Sequence, residues 1–186
     1  MFDGQQIVKH KTSFFSINTM ETQQQTNAGL EKVREMVSAI RIAMMTTIDE
    51  QGNLVSRPMG CMQMDADGTL WFFTQKSSPK VEQVEQHNNK VNLSFANAGD
   101  SDYVSISGSA QEVNNRAKID ELWSDMAKPW FPKGKDDPEL TLLKVHTELA
   151  EYWDANDSRV VRLFQMARAI VTGDTFKGGE NAKVTN

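Results

Sequence analysis

Short runs in which apolar and polar residues alternate one by one fill the middle of this chain. The clearest sets Tyr103, Ser105, Ser107 and Ser109 against Val104, Ile106, Gly108 and Ala110. That pattern predicts a strand with one buried and one polar face, as in an antiparallel sheet. Lys90–Ala96 repeats it, with Val91, Leu93 and Phe95 against Asn92 and Ser94. Ile42–Ile48 and the aromatic run Thr69–Gln75 are more uniformly apolar, and Leu54–Met64 lies between them. The turn sequences Asp49-Glu50-Gln51-Gly52 and Asp65-Ala66-Asp67-Gly68 separate the three as hairpins. Pro58 has no N–H for a ladder, so the Leu54–Met64 strand is expected at an edge or a bulge. Gly60 shares its face and leaves room for a flat ligand or another backbone, whereas Arg57 has the opposite parity, with Val55 and Met59.

Helical spacing is rarer. Leu30, Val33, Val37 and Ile40 predict a short amphipathic helix over one end of the sheet. Ser78 and Pro79 suit the N-cap and first position of a second helix ending near His87-Asn88-Asn89, since proline's missing N–H costs nothing there. A third is expected near Arg116–Met126, before the irregular Pro129–Gly134 segment, and a short one at Leu140–Val145. Strands at His146–Trp153 and Arg159–Val171, joined by Ala155–Ser158, complete the pattern. About six or seven strands in hairpin order predict a mainly β fold, an antiparallel six- to seven-stranded closed barrel with peripheral helices. Residues 1–27 are polar and aperiodic and are expected to be a disordered extension, with Met20 an alternative start; 28–172 form the domain and 173–186 a flexible tail.

The chain has 186 residues, enough for one well-cored domain. A net charge of −5 argues against general nucleic-acid or membrane-surface binding. The single cysteine, Cys61, allows no intramolecular disulfide and fits a reducing compartment. No apolar run approaches a membrane span, and Phe14–Ile17 is too short for a signal peptide core. The expectation is a soluble, cytoplasmic protein. His10, His87 and His146 are scattered without ligand-spaced partners, so no metal site is expected. Cys61 lacks a catalytic motif and reads as a structural thiol, and Asp136-Asp137 as a loop rather than a catalytic dyad.

The chemistry concentrates where the aromatic strand runs into the Ser78 helix. A helix N-terminus offers free N–H groups and a dipole that favours an anion. Thr74, Ser77, Ser78 and Lys80 surround it, with Arg57 on the neighbouring strand. Such a set describes either a phosphate socket or a capped surface helix with two solvated cations.

The order S-R-P-M strand, aromatic strand ending F-T, then S-S-P-K opening a helix resembles the FMN-binding split barrels related to pyridoxamine-phosphate oxidase. The later P-W-F-P-K-G, D-D-P-E-L and A-E-Y-W-D segments resemble the general stress protein 26 group within them. The resemblance, spanning roughly Leu30–Val171, implies FMN as cofactor, its phosphate held by Arg57, Thr74, Ser78 and Lys80 with Ser77 adjoining. Backbone near Pro58, Met59 and Gly60 is expected to border the flavin ring, with Phe73 alongside. Tyr103 stands where relatives often carry glutamine, and Pro79 where oxidases carry a second basic residue, which weakens the clamp by one charge. Relatives are homodimers with FMN at the interface, which places Trp130 either against the partner's flavin or inside its own domain.

The function implied is a flavin-dependent oxidoreductase acting on an unknown small molecule, with no catalytic side chain singled out. The alternatives are a non-catalytic flavin carrier or redox sensor in stress, or a barrel holding another cofactor such as a deazaflavin or haem. True pyridoxamine-phosphate oxidase activity is not expected. The chain ends without the Arg-Leu-His-Asp-Arg type motif of those enzymes, and Arg168 has no histidine beside it.

Overall fold

The computed structural model describes residues 27–155 and 180–185. Six strands pair antiparallel: β1 (Ile42–Ile48), β2 (Leu54–Met64), β3 (Thr69–Gln75), β4 (Lys90–Asn97), β5 (Asp102–Val113) and β6 (Leu140–Asp154). Their order is β3-β2-β1-β4-β5-β6, and β3 also pairs with β6, so the sheet closes into a barrel. A seventh strand, β7 (Glu180–Thr185), lies along Leu149–Asp154 of β6, beyond the part of β6 that pairs with β3.

The alternation decides which side chains fill the barrel. Met45 of β1, Leu70 and Phe72 of β3, Leu93 and Phe95 of β4, Ile106 of β5 and Leu143 of β6 are fully buried inside it. Helix α1 (residues 27–40) closes one end with Leu30, Val33 and Val37, as its spacing predicts. A second core lies outside the barrel wall. There Trp71, Leu140 and Leu142 pack under α3 (Arg116–Leu122) and the segment carrying Ala127 and Phe131.

Three expectations need correction. Leu140–Val145 is not a helix but the first half of the 15-residue β6. Its inner residues Leu143 and Val145 fill the barrel, while Leu140 and Leu142 face the second core. Burial on both faces removed the alternation that marks a strand. The helix expected through Met126 stops at Leu122, and a single 3₁₀ turn, Asp125–Ala127, follows. Part of the tail expected to be loose is strand β7; its only buried apolar anchor, Val184, is too little to show a period. The strand expected at Arg159–Val171 lies outside the described residues.

The barrel is incompletely laced between β2 and β3. Their ladder covers Cys61, Gln63 and Met64 of β2, with an irregularity between the first two, and leaves Leu54–Gly60 paired to β1 alone. The Cys61 amide donates to the Arg41 carbonyl at 2.8 Å. Strand geometry then turns the backbone groups of Ser56, Pro58 and Gly60 toward the open edge. Pro58 therefore stands where a missing N–H breaks no ladder bond, as the sequence predicts. Helix α2 (Pro79–Gln86) buries Val81 and Val84, the latter in the barrel core. No helix among the described residues is long and apolar enough to cross a membrane.

Candidate functional site

Arg57, on the part of β2 paired to β1 alone, and Lys80 of α2 lie close enough for their charges to interact. The half-buried Arg57 guanidinium donates to Thr47 Oγ1 at 2.6 Å and to Gln83 Oε1 at 2.9 Å, with a longer 3.4 Å contact to the Met45 carbonyl. Lys80 Nζ donates to Ser78 Oγ at 2.6 Å. Every one of these partners is neutral. Among the described residues no carboxylate pairs with either cation, whereas Lys90, Arg116, Lys118 and Lys135 are all ion-paired. Burial lowers the pKa of Arg57; burial, then repulsion by Arg57, lowers that of Lys80. Two partly desolvated cations that repel one another are stabilised when an anion sits between them.

Ser78 is the N-cap of α2 and Pro79 occupies its first turn, as expected, but the Ser78 hydroxyl caps no amide and instead receives Lys80. Thr74 is buried at the end of β3, its hydroxyl making only a 3.5 Å contact to the Gln75 carbonyl. Ser77 turns the other way: its amide donates to Glu139 Oε2 at 3.2 Å. Hydrogen bonds from the Ser77 hydroxyl and then its amide hold the Glu139 carboxyl below its usual range. Met59 is buried in the core, while Pro58 and Gly60 are exposed on the outer face.

The remaining residues expected at the site stand apart from this cluster. Phe73 lies on the β3 face opposite Thr74, its ring 5.8 Å from Trp123 and 6.3 Å from Phe131. Trp130 is 67% exposed in the loop after Ala127. Tyr103 sits on the outer face of β5, opposite Trp153 on β6. Gly60, Ile42, Tyr103 and Trp153 share that face, where Ile42 is 54%, Tyr103 41% and Trp153 38% exposed. Burial pushes the Cys61 thiol up to about 12, which disfavours the thiolate. No group of metal-ligating side chains occurs among the described residues.

Sequence reasoning missed Thr47, Gln83 and Glu139. A threonine on a strand, a glutamine on a helix and a glutamate in a loop carry no motif. Gln83 lies five positions past the cap, and only the docking of α2 brings it onto Arg57.

The family model described as pyridoxamine 5'-phosphate oxidase like matches residues 28–177. General stress protein 26 of Bacillus subtilis is 31% identical over 137 residues, covering 72% of this chain and 94% of that protein. Among solved structures, a candidate general stress protein 26 from Jannaschia sp. CCS1 superimposes with a TM-score of 0.68 at 29% identity, over 82% of this chain and 94% of that one. A general stress FMN/FAD binding protein from Xanthomonas citri matches at 32% identity with a TM-score of 0.59, over 69% and 89% of the two chains.

Proposed function

This chain belongs to the pyridoxamine 5'-phosphate oxidase like family, and on that premise we propose that it binds FMN and serves as a flavin-dependent oxidoreductase for a small molecule, without being a pyridoxamine-phosphate oxidase. One observation carries the reading: Arg57 and Lys80 lie close enough beside α2 to repel one another, each with neutral partners only. A phosphate monoester supplies the charge that this pair lacks, and charge-assisted bonds to guanidinium and ammonium are the strong ones. Ser78, already turned to Lys80, adds a hydroxyl to the same cradle. The bound flavin supplies the redox chemistry, and the chain holds and orients it. The Xanthomonas citri neighbour, described as FMN/FAD binding, supports a flavin in this fold.

In this reading the protein is a cytoplasmic homodimer. The exposed Ile42, Tyr103 and Trp153 face a second copy, and Trp130 reaches toward the partner's flavin.

The test is direct. Purified protein is expected to show flavin absorbance, to release FMN on denaturation and to bind FMN more tightly than riboflavin. NAD(P)H-driven reduction of the bound FMN coupled to an acceptor then separates an oxidoreductase from a flavin carrier or sensor. Equal affinity for FMN and riboflavin would remove the phosphate socket.

A further inference from the structure

Arg57 is held by neutral acceptors alone, and the hold is a closed ring of bonds. Gln83 Oε1 accepts from Arg57 Nη2 at 2.9 Å and from Thr47 Oγ1 at 2.7 Å, while Thr47 Oγ1 accepts from Arg57 Nη1 at 2.6 Å. Thr47 is buried in β1, so the ring has a rigid base. A guanidinium carries five N–H donors in a fixed plane. The ring engages its far end, and the Met45 carbonyl lies 3.4 Å from Nη1 on the same nitrogen. Nε–H and the second Nη2–H make no bond among the described residues, and together they form the edge that grips two oxygens of one phosphate.

We propose that Gln83, together with Thr47, is the positioning residue that makes Arg57 a phosphate receptor, and that its neutrality is the operative property. A carboxylate at position 83 would fit the same geometry, but its charge would cancel that of the guanidinium. An amide fixes the plane and leaves the charge for the ligand. This rests on the reading of Arg57 and Lys80 as a flavin-phosphate socket.

The experiment compares FMN with riboflavin on the full chain, by flavin fluorescence titration, for wild type, Arg57→Ala, Gln83→Glu, Gln83→Leu and Thr47→Val. Loss of one charge-assisted contact predicts that Arg57→Ala lowers the preference for FMN about 10- to 150-fold. Gln83→Glu is expected to approach that loss with its melting temperature maintained or raised, because the new ion pair forms inside the apoprotein. Gln83→Leu and Thr47→Val are expected to lose a smaller part, and riboflavin affinity should hold in all four variants. A merely structural role for Gln83 would weaken both flavins together and would overturn the proposal. So would a Gln83→Glu or Gln83→Leu protein that keeps the wild-type preference while Arg57→Ala loses it, a result that leaves the socket itself standing. If Arg57→Ala also keeps the preference, the socket fails and the role of Gln83 with it.

Discussion

Lys80 lies close enough to Arg57 for the two cations to repel, and no carboxylate among the described residues bonds to either. Proteins seldom leave such a pair unrelieved, because each charge gives up hydration without gaining a counter-ion. Its position, on the part of β2 that β3 leaves unpaired and in the first turn of α2, marks the pair as a candidate anion site.

Replacing Lys80 with alanine is expected to weaken FMN binding about 10- to 150-fold, the worth of one hydrogen bond to a charged group. It should leave riboflavin almost unaffected and should raise rather than lower apoprotein stability, because the repulsion on Arg57 disappears. Paired titrations and thermal melts check this. Parallel losses for FMN and riboflavin would place the ammonium elsewhere than at the phosphate.

The same pair sets a pH dependence. Burial and then Arg57 hold Lys80 below its ordinary 10.5. The folded apoprotein therefore binds this proton less well than the unfolded chain, so protonated Lys80 costs stability. That cost is relieved as pH rises from the folded value toward 10.5. A bound phosphate favours the ammonium, so phosphate binding takes up a proton and weakens as pH rises through the apoprotein value. The FMN-to-riboflavin affinity ratio is expected to fall at alkaline pH before 10.5 is reached, and the fall should vanish in Lys80→Ala. A ratio that stays flat up to 10.5 would contradict a proton on Lys80 coupled to the phosphate.

How much of this was legible in sequence depended on burial on one face or two. Val91, Leu93 and Phe95, like Val104 and Ile106, alternate with polar neighbours because their strands have one wet face, and they read correctly. Leu140–Val145 did not, because the outer core under α3 buries its second face as well. At the site, Arg57, Ser78 and Lys80 stood out by residue type and order. Gln83 could not, since its role exists only once α2 has packed and set the amide against Thr47 and Arg57.

Two glycines in different surroundings offer a stability prediction. A Cβ on Gly108, at the irregularity between β5 and β6, would overlap the His146 carbonyl oxygen, which is backbone and cannot swing aside. Gly108→Ala is expected to cost about 1–3 kcal/mol or more, as overpacking does. A Cβ on Gly60 would meet only Ile42 Cδ1, at 4.0 Å, so Gly60→Ala should leave the monomer fold intact. Denaturant midpoints compare the two; equal loss in both would mean that the Ser107–Gly108 irregularity is not held by the missing side chain.

Light scattering is expected to give a homodimer. Gly60 pairs with Ile42 across β2 and β1, and Tyr103 with Trp153 across β5 and β6, which places an exposed apolar row on one outer face. Ile42→Asp or Trp153→Glu should yield folded monomers, since neither side chain fills the barrel. Monomers that retain full FMN occupancy would show that one chain completes the site and would remove Trp130 from the flavin.

The protein is expected not to oxidise pyridoxamine or pyridoxine phosphate at a useful rate. Such a substrate brings a second phosphate, whose oxygens lose hydration and need their own cationic partners. Arg57 and Lys80 are one clamp and cannot hold both. The other described cations are largely engaged: Lys90 with Glu148 at 2.7 Å, Arg116 with Asp136 at 2.8 Å and Lys118 with Glu121 at 2.8 Å. In the sequence, Arg168 stands without a neighbouring histidine, and Ile170–Glu180 contains no arginine. Cofactor binding should therefore survive in a protein that offers the vitamin substrate no site. Assay of FMN-loaded protein for pyridoxal phosphate formation in air tests this, and turnover of about 1 per second or more would place the chain among the oxidases.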